Sequence, residues 1–227
     1  PELRTIIRRD DIVSLGALAT HATIADDAII SGAVPALGAL CSSIANARVR
    51  TSGTIGGNLC FAEPRADPPV LLAALDAQLV LKSARGEHHI SASQFIIGAL
   101  ETLRAPDELL LRIEIPVTAC NIRYERVVFG HRTIAGAAAA IPKDPANKPR
   151  IWVGCIGTHP TSLPTTERYI SANPANLDDG LTHAIATDIG TLDIVSDEDA
   201  SADYRRHLAE TVTRRAITAA ADKKGTP

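Results

Sequence analysis

Methionine is missing from this sequence of 227 residues, and aromatic side chains make up only 3% of it. The first residue is proline, so we expect that residue 1 is not the start of the translated protein. Lysine and arginine (23 together) do not outnumber the acidic residues (26), and no basic stripe runs along the chain. This balance gives no electrostatic basis for binding a nucleic acid.

Long apolar runs are lacking as well. The alanine-rich stretch at residues 135–141 is far shorter than the roughly 20 residues that cross a bilayer as a helix. The N-terminus carries no secretory signal pattern. We therefore expect a cytoplasmic protein with no membrane span.

Cysteine is sparse and scattered. Cys41, Cys60, Cys120 and Cys155 form no C-x-x-C pair, which argues against a structural zinc or an iron–sulfur cluster bound by this chain alone. Free, buried thiols in a reducing compartment are the expectation. The adjacent histidines at 88 and 89 have no partner cluster, so we expect no metal site.

What is present indicates an ordinary globular chain, with 45% hydrophobic and 22% charged residues. Its length suits one large or two modest domains. Short apolar runs predict a β-hairpin over residues 5–15 with a charged turn, then a short helix capped by Thr20 or Thr23. Apolar positions at three- and four-residue steps predict a helix over residues 34–45.

Further strands are predicted at residues 79–82, 89–90 and 109–115, the last ended by Pro116. Beyond it, strands at 124–128, 135–141 and 151–156 precede helices at 164–170, 177–189 and up to Ala221. The alanine-rich strand must pack closely against something. This change of pattern predicts an α+β fold divided into residues 1–117 and 118–227.

The most informative stretch is residues 51–58, T-S-G-T-I-G-G-N. Gly53, Gly56 and Gly57 allow positive φ and a close approach of the backbone to a ligand. Successive N–H groups in such a turn form a concavity for phosphate oxygens, and Thr54 and Asn58 add polar contacts. The alternative is a tight turn between two packed elements.

Asp67-Pro68-Pro69 follows closely and reads as a helix start, with an aspartate cap and prolines in the first turn. Asp67 therefore has two possible roles, as a helix N-cap or as a ligand contact, and one carboxylate can serve both. The spacing does not fit the dinucleotide motif G-x-G-x-x-G, since no buried strand leads into the glycines.

This context, I-A-N-A-R-V-R before the glycines and A-E-P-R-A-D after them, resembles the flavin-binding subunits of molybdenum hydroxylases. These are the medium subunit of carbon monoxide dehydrogenase and the FAD domain of xanthine dehydrogenase. The resemblance extends from Leu3 to about Ala221. It implies a PCMH-type FAD-binding domain, truncated at its N-terminus, followed by a C-terminal domain of a small antiparallel sheet plus helices.

The resemblance also implies a set of FAD contacts. The glycine segment would bind the pyrophosphate side, Asp67 the sugar, and Ile44 and Leu110 the flavin end, although both are equally natural core residues. Arg126 stands where the family usually has a lysine near the flavin. The implied cofactor-binding residues are Ile44, Gly53, Thr54, Ile55, Gly56, Gly57, Asn58, Asp67, Leu110 and Arg126.

The implied function is electron transfer through FAD to an external acceptor. The implied partners are a molybdopterin-binding large subunit and a small subunit with 2Fe-2S clusters. No acid–base or nucleophile–base pair stands out, and the flavin's own redox chemistry requires none. The alternatives are a scaffold subunit that has lost FAD and a stand-alone flavoprotein reductase. The substrate and the electron acceptor stay open.

Members of this family carry a second glycine loop, in an N-terminal subdomain, on the other side of the pyrophosphate. Nothing in residues 1–227 matches it. Each N–H bond to a charged group contributes on the order of 1.5–3 kcal/mol. We therefore expect residues 1–227 alone to bind FAD weakly or not at all.

Overall fold

The computed structural model describes residues 2–174 and 177–222. Its first half contains two antiparallel sheets. The strands, in chain order, are β1 (Ile6–Arg9), β2 (Ile12–Gly16), β3 (Gln78–Ser83), β4 (Gly86–Ser91), β5 (Ile96–Gly98), β6 (Glu101–Thr102) and β7 (Leu109–Pro116). Five of them form one sheet in the order β1-β2-β7-β3-β4, and β5 pairs with β6. The predicted hairpin and the predicted strands of this half are confirmed.

Seven helices connect these strands. They are α1 (His21–Asp26), α2 (Ala28–Ala33), α3 (Pro35–Ser42), α4 (Ala47–Ser52), α5 (Ile55–Phe61), α6 (Asp67–Ala74) and α7 (Ala92–Phe95). Thr20, not Thr23, is the N-cap of α1, and its hydroxyl accepts from the Thr23 N–H group. The helix predicted to reach residue 45 ends at Ser42. Ala45 then takes a left-handed conformation (φ 41°), and Asn46 caps the next helix.

The second half is a four-stranded antiparallel sheet with three helices. Its elements are β8 (Cys120–Phe129), β9 (Arg132–Pro142), β10 (Arg150–Gly154), β11 (Thr161–Ser162), α8 (Pro164–Ala172), α9 (Asp179–Gly190) and α10 (Ala202–Ala221). The strand order is β11-β10-β9-β8. The α+β architecture predicted from the sequence is confirmed.

The alanine-rich strand β9 lies between two layers of helices. Ala138 belongs to the core of the first half, where α6 covers this face, whereas Ala137 and Ala139 pack in a second core beneath α10. Small side chains on both faces let the two layers approach closely, as the alanine run predicted. Every residue of α6 is buried. Because α6 belongs to the first half and covers one face of β9 in the second half, this helix is shared by both halves. The boundary near residue 117 stays a prediction.

Candidate cofactor-binding site

The glycine-rich segment begins a helix. Helix α4 ends at Ser52, Thr54 is the N-cap of α5, and the second and third glycines lie in its first turn. Among the glycines that the structure describes, only Gly86 and Gly130 have positive φ. The expected positive-φ turn is therefore not formed here, and the segment has helical backbone instead.

The backbone N–H groups of this helix start have partners inside the chain. In order, Ile55 donates to Ala19 O (3.0 Å), Gly56 to Ala17 O (2.8 Å), Gly57 to Thr54 Oγ1 (3.1 Å) and Asn58 to Thr54 O (2.9 Å). The predicted concavity of free N–H groups is thus wrong for these four residues. Only the Gly57 group bonds to a side chain, which can rotate away and leave the N–H group to an incoming ligand oxygen.

The three glycines have different surroundings. A Cβ at Gly53 would lie 2.8 Å from Val49 O, and one at Gly56 would lie 2.6 Å from Ala17 Cβ. Both positions therefore need glycine for packing inside the protein. Gly57 is exposed, and a Cβ there would meet only the Thr54 hydroxyl, at 2.9 Å. Space is open on the outward side of Gly57.

Asn58 carries an unsatisfied polar group. Its side-chain oxygen is buried and has no hydrogen-bond partner among the residues that the structure describes. A buried, unpaired polar atom costs free energy, so such an atom requires an explanation. The amide oxygen needs a donor, which a hydroxyl group of a nucleotide cofactor can supply, while the NH₂ group of the same amide can donate to a phosphate oxygen. The residues at this helix start therefore fit a nucleotide cofactor such as FAD.

The three apolar candidates lie in or against the core of the first half. Ile55 is fully buried and Leu110, on β7, is 9% exposed, while Ile44 is half-buried and packs against the same core. Ile55 contributes to the site through its backbone, because its side chain points into the core. The sequence-based core assignment of Ile44 and Leu110 is confirmed, and contact with a flavin stays a prediction.

Asp67 does not cap its helix. The N-cap position of α6 is Ala66, and Asp67 is the first helical residue, buried to 5% exposure. The predicted N-cap role is therefore wrong. The carboxylate instead accepts a hydrogen bond from the Tyr124 hydroxyl (2.7 Å) and pairs with the Arg126 guanidinium. Two of the sequence-derived site residues, one from each half, are thus brought into direct contact.

Arg126 has further partners in the chain. Its second terminal nitrogen donates to the Ser43 carbonyl oxygen (2.6 Å), and Arg50 donates to the neighbouring Ile44 carbonyl oxygen (2.9 Å). These bonds place the end of α3, with Ile44, beside the ion pair of Asp67 and Arg126. Arg126 holds together segments that are far apart in the sequence.

The sequence reasoning missed two neighbours of this site. Tyr124 lies two residues before Arg126 on the same strand, a spacing that puts both side chains on one face and that could have identified it. His21 is buried beneath the glycine segment, and its backbone N–H group donates to Gly53 O (3.1 Å). Burial lowers the pKa of His21 and raises that of the adjacent Cys41 thiol to about 12. No local sequence pattern indicates this pair.

Among the described residues, no group of three or more acidic, histidine or cysteine side chains could hold a metal ion, and no helix is long and apolar enough to cross a membrane. The arrangement offers backbone and amide groups at a helix start, an apolar wall and a carboxylate held by Tyr124, Arg126 and the Cys155 thiol. Such a set can bind and orient a cofactor that supplies its own chemistry.

Comparison with known protein families gives a match over residues 1–118. The matching family is described as the FAD binding domain in molybdopterin dehydrogenase. These residues comprise the five-stranded sheet, the glycine segment and Asp67.

Relatives match nearly the whole chain. The caffeine dehydrogenase subunit beta of Pseudomonas sp. (strain CBB1) is 31% identical over 234 residues, covering 98% of this chain and 77% of the relative. The carbon monoxide dehydrogenase medium chain of Hydrogenophaga pseudoflava is 28% identical over 225 residues, covering 97% and 78%.

Solved structures share the fold. Carbon monoxide dehydrogenase from Hydrogenophaga pseudoflava superposes with a TM-score of 0.92 at 26% identity, covering 97% of this chain and 78% of that chain. Quinoline 2-oxidoreductase from Pseudomonas putida 86 gives a TM-score of 0.89 at 28% identity with the same coverage. The likeness thus includes both halves of the chain.

Proposed function

Because this chain belongs to the family of FAD binding domains in molybdopterin dehydrogenases, we propose that it carries electrons through FAD within a molybdenum hydroxylase complex. It is a FAD-binding oxidoreductase subunit. The observation that carries the proposal is the family match over residues 1–118, which contains a helix start whose Asn58 amide oxygen is buried and unpaired. When bound, FAD would supply the redox chemistry, taking electrons from a partner and passing them to an external acceptor.

The proposed pyrophosphate contacts lie at the start of α5. Thr54, Gly57 and Asn58 would bind phosphate oxygens through a hydroxyl, a backbone N–H group and an amide. The shape of this helix start depends on Gly53, Ile55 and Gly56. The two glycines let the backbone pack closely, and the buried Ile55 side chain holds it against the core.

The proposed contacts with the rest of the cofactor lie beside the ion pair. Asp67 would bind the sugar through a free lone pair, and Ile44 and Leu110 would form the apolar wall of the flavin end. Arg126 belongs to the same site through its bonds to Asp67 and Ser43.

The proposed partners are a molybdopterin-binding large subunit and a small subunit with 2Fe-2S clusters. The medium chain of carbon monoxide dehydrogenase, a relative over 97% of this chain, supports membership of a multi-subunit enzyme. We propose a cytoplasmic location, since the four cysteines are free and suit a reducing compartment.

The absorption spectrum of the purified protein tests the proposal against the scaffold alternative. Bound flavin absorbs at wavelengths where protein does not, and acid extraction followed by chromatography identifies it as FAD. We expect FAD at one molecule per chain in protein isolated from its native cells. Protein isolated with its partner subunits but without flavin would support the scaffold role instead.

Co-purification tests the proposed partners. An affinity tag on this chain should retain a molybdenum-containing subunit and an iron–sulfur subunit, which metal analysis quantifies. Flavin-loaded protein that elutes without molybdenum or iron would support a stand-alone flavoprotein reductase.

A further inference from the structure

Two side chains of the second half are directed at one carboxylate of the first half. The Tyr124 hydroxyl donates to Asp67 Oδ1 (2.7 Å), and the Arg126 guanidinium pairs with Asp67 Oδ2. Tyr124 and Arg126 are two residues apart on β8, so strand alternation places both on the face towards α6. Each oxygen of the carboxylate thus has a donor from β8, and Oδ1 has a second donor in the Cys155 thiol (3.9 Å).

The neighbouring strand leaves room for this contact. Gly136 on β9 lies opposite Arg126, and a Cβ there would collide with the Tyr124 hydroxyl. Glycine weakens the interior of a strand, and its presence there often marks a close approach of other atoms. At Gly136 the approaching atom is the hydroxyl oxygen that reaches Asp67.

The hydroxyl keeps its proton in this position. Burial, together with the nearby Cys155 and Asp67, raises the pKa of Tyr124 well above its usual range. Tyr124 therefore stays a donor at neutral pH, and its hydrogen bond to Asp67 fixes the rotation of the carboxylate about its Cβ–Cγ bond.

Arg126 also fixes a distance. One of its terminal nitrogens pairs with Asp67 at the start of α6, and the other donates to the Ser43 carbonyl oxygen (2.6 Å) just after α3. A planar guanidinium that bonds on both sides acts as a rigid spacer. The start of α6 and the end of α3, where Ile44 lies, are thus held at a set separation.

We infer that Tyr124 and Arg126 are positioning residues of the cofactor site, which orient the Asp67 carboxylate towards FAD and set its distance from Ile44. The inference rests on the proposed function. A carboxylate has about four lone-pair sites, of which Tyr124, Arg126 and the Cys155 thiol take three, so one acceptor site remains for a sugar hydroxyl. The second half of the chain therefore completes a site whose cofactor contacts lie mainly in the first half.

A double-mutant cycle on FAD affinity tests this role for Tyr124. The full-length subunit, deflavinated and in complex with its partner subunits, is titrated with FAD by flavin fluorescence for the wild type, Tyr124→Phe, Asp67→Asn and the double variant. Each single change should weaken binding by about tenfold, because Asp67→Asn removes the charged acceptor of the sugar hydroxyl and Tyr124→Phe leaves the carboxylate free to turn away from it. The double variant should bind no more weakly than Asp67→Asn, because Tyr124 acts through Asp67. Tyr204→Phe, at an exposed tyrosine of α10, is the matched control and should bind like the wild type.

A second series tests Arg126 through a conservative replacement. Arg126→Lys keeps the charge beside Asp67 but not the two-sided contact, so it should retain more affinity than Arg126→Met. Arg132→Met, at an exposed arginine of β9, is the control. Melting temperatures of the flavin-free variants are measured in parallel, and the titrations are done well below them. If Arg126→Met does not fold, the Tyr124 cycle decides.

The outcomes separate this inference from the proposed function. Unchanged affinity in Tyr124→Phe, or losses that add up in the double variant, would overturn the positioning role while leaving FAD binding intact. A purely structural role would lower the melting temperature without changing the affinity for FAD. Absence of FAD binding by the wild-type protein would overturn the proposed function, and the inference with it.

Discussion

At the scale of single residues, the two adjacent glycines of the site have opposite surroundings. Gly56 is buried against Ala17, which receives its N–H bond at 2.8 Å, whereas Gly57 is exposed above the Thr54 hydroxyl. One glycine is thus needed for folding, and the other leaves space outside the protein. This difference separates the structural and the ligand-binding interpretations of the same motif.

Gly56→Ala should destabilise the fold. Its Cβ would lie 2.6 Å from Ala17 Cβ and 2.7 Å from Ala17 O, so α5 must shift, and overpacking of this kind costs typically about 1–3 kcal/mol. Urea unfolding followed by circular dichroism measures the loss. Gly32→Ala, where a Cβ meets nothing within 4 Å, is the control. Equal unfolding free energies for Gly56→Ala and wild type would contradict this packing account.

The sequence predicts a site at residues 53–58 but does not give the role of each residue there. The Gly, Thr and Asn pattern of residues 53–58 is local, so it can be recognised without a structure. The contact of Gly56 with Ala17, and that of His21 with the glycine segment, join positions over 30 residues apart. Such contacts depend on how α1 and the segment before it pack against the end of α4 and the start of α5, which no local pattern records.

At the scale of secondary-structure elements, α8 is capped by a side chain from another helix. Its own N-cap residue, Leu163, offers no side-chain hydrogen bond. Asp188 on α9 instead accepts from the Thr165 N–H group (3.1 Å), the Thr166 N–H group (2.7 Å) and the Thr166 hydroxyl (2.9 Å). The buried carboxylate thus satisfies the free donors of α8 and joins the two helices.

Asp188→Ala should lower the free energy of unfolding by about 3 kcal/mol, because three hydrogen bonds to a buried carboxylate are lost. Chemical denaturation with a fluorescence or circular dichroism signal measures this loss. Asp179→Ala, at an exposed aspartate in the first turn of the same helix, should change stability far less. If the two variants are equally stable, Asp188 does not cap α8.

Elements defined by periodicity were predicted well, and their caps less well. The strand β7 follows directly from its run of apolar residues. Asp67 was wrong as an N-cap because the helix already begins at this residue, and its carboxylate is taken by Tyr124 and Arg126 of the second half. A capping pattern in the sequence does not reveal a competing long-range partner.

At the scale of the whole molecule, a second group of charges links the halves. Arg65, between α5 and α6, forms ion pairs with Asp197 and Asp199 in the loop before α10. Asp197 also pairs with Arg205 of α10, which is almost fully buried. The segment between α5 and Asp67 is therefore attached to α10, the C-terminal helix.

The stability of this link should depend on pH in the acid range. Burial opposes ionisation of Asp197, but hydrogen bonds from Arg205 and from the N–H groups of Asp199 and Ala200 hold its pKa well below its usual value of 3.8. A lowered folded-state pKa stabilises the protein above the unfolded-state pKa, and this contribution is lost as the pH falls below it.

Asp197→Asn should therefore melt at a lower temperature than the wild type at pH 7, and the difference should shrink as the pH falls below about 4. Melting temperatures measured from pH 7 to pH 3 provide the test. Glu198→Gln, at an exposed neighbouring residue, serves as the control. A melting difference that does not depend on pH would show that Asp197 does not stabilise the protein through its charge.

The joining of the halves could be predicted only in outline. The alanine run of β9 indicated close packing, and the structure places α6 on one of its faces and α10 on the other. The ion pairs between Arg65 and Asp197 and between Asp67 and Arg126 join residues 132 and 59 positions apart. Oppositely charged residues are too common in a sequence for such pairs to be identified by spacing.

Titration of a Gly57→Val variant with FAD tests whether this chain binds FAD at the start of α5. Gly57→Val is made in the full-length subunit, deflavinated in complex with its partner subunits, and titrated with FAD by flavin fluorescence alongside the wild type and Gly32→Ala. The account predicts one FAD per chain in the wild type and in Gly32→Ala, and no retained FAD in a folded Gly57→Val, whose side chain fills the space outside the helix start. Equal FAD binding by Gly57→Val and wild type, or no FAD binding by the wild type, would contradict it.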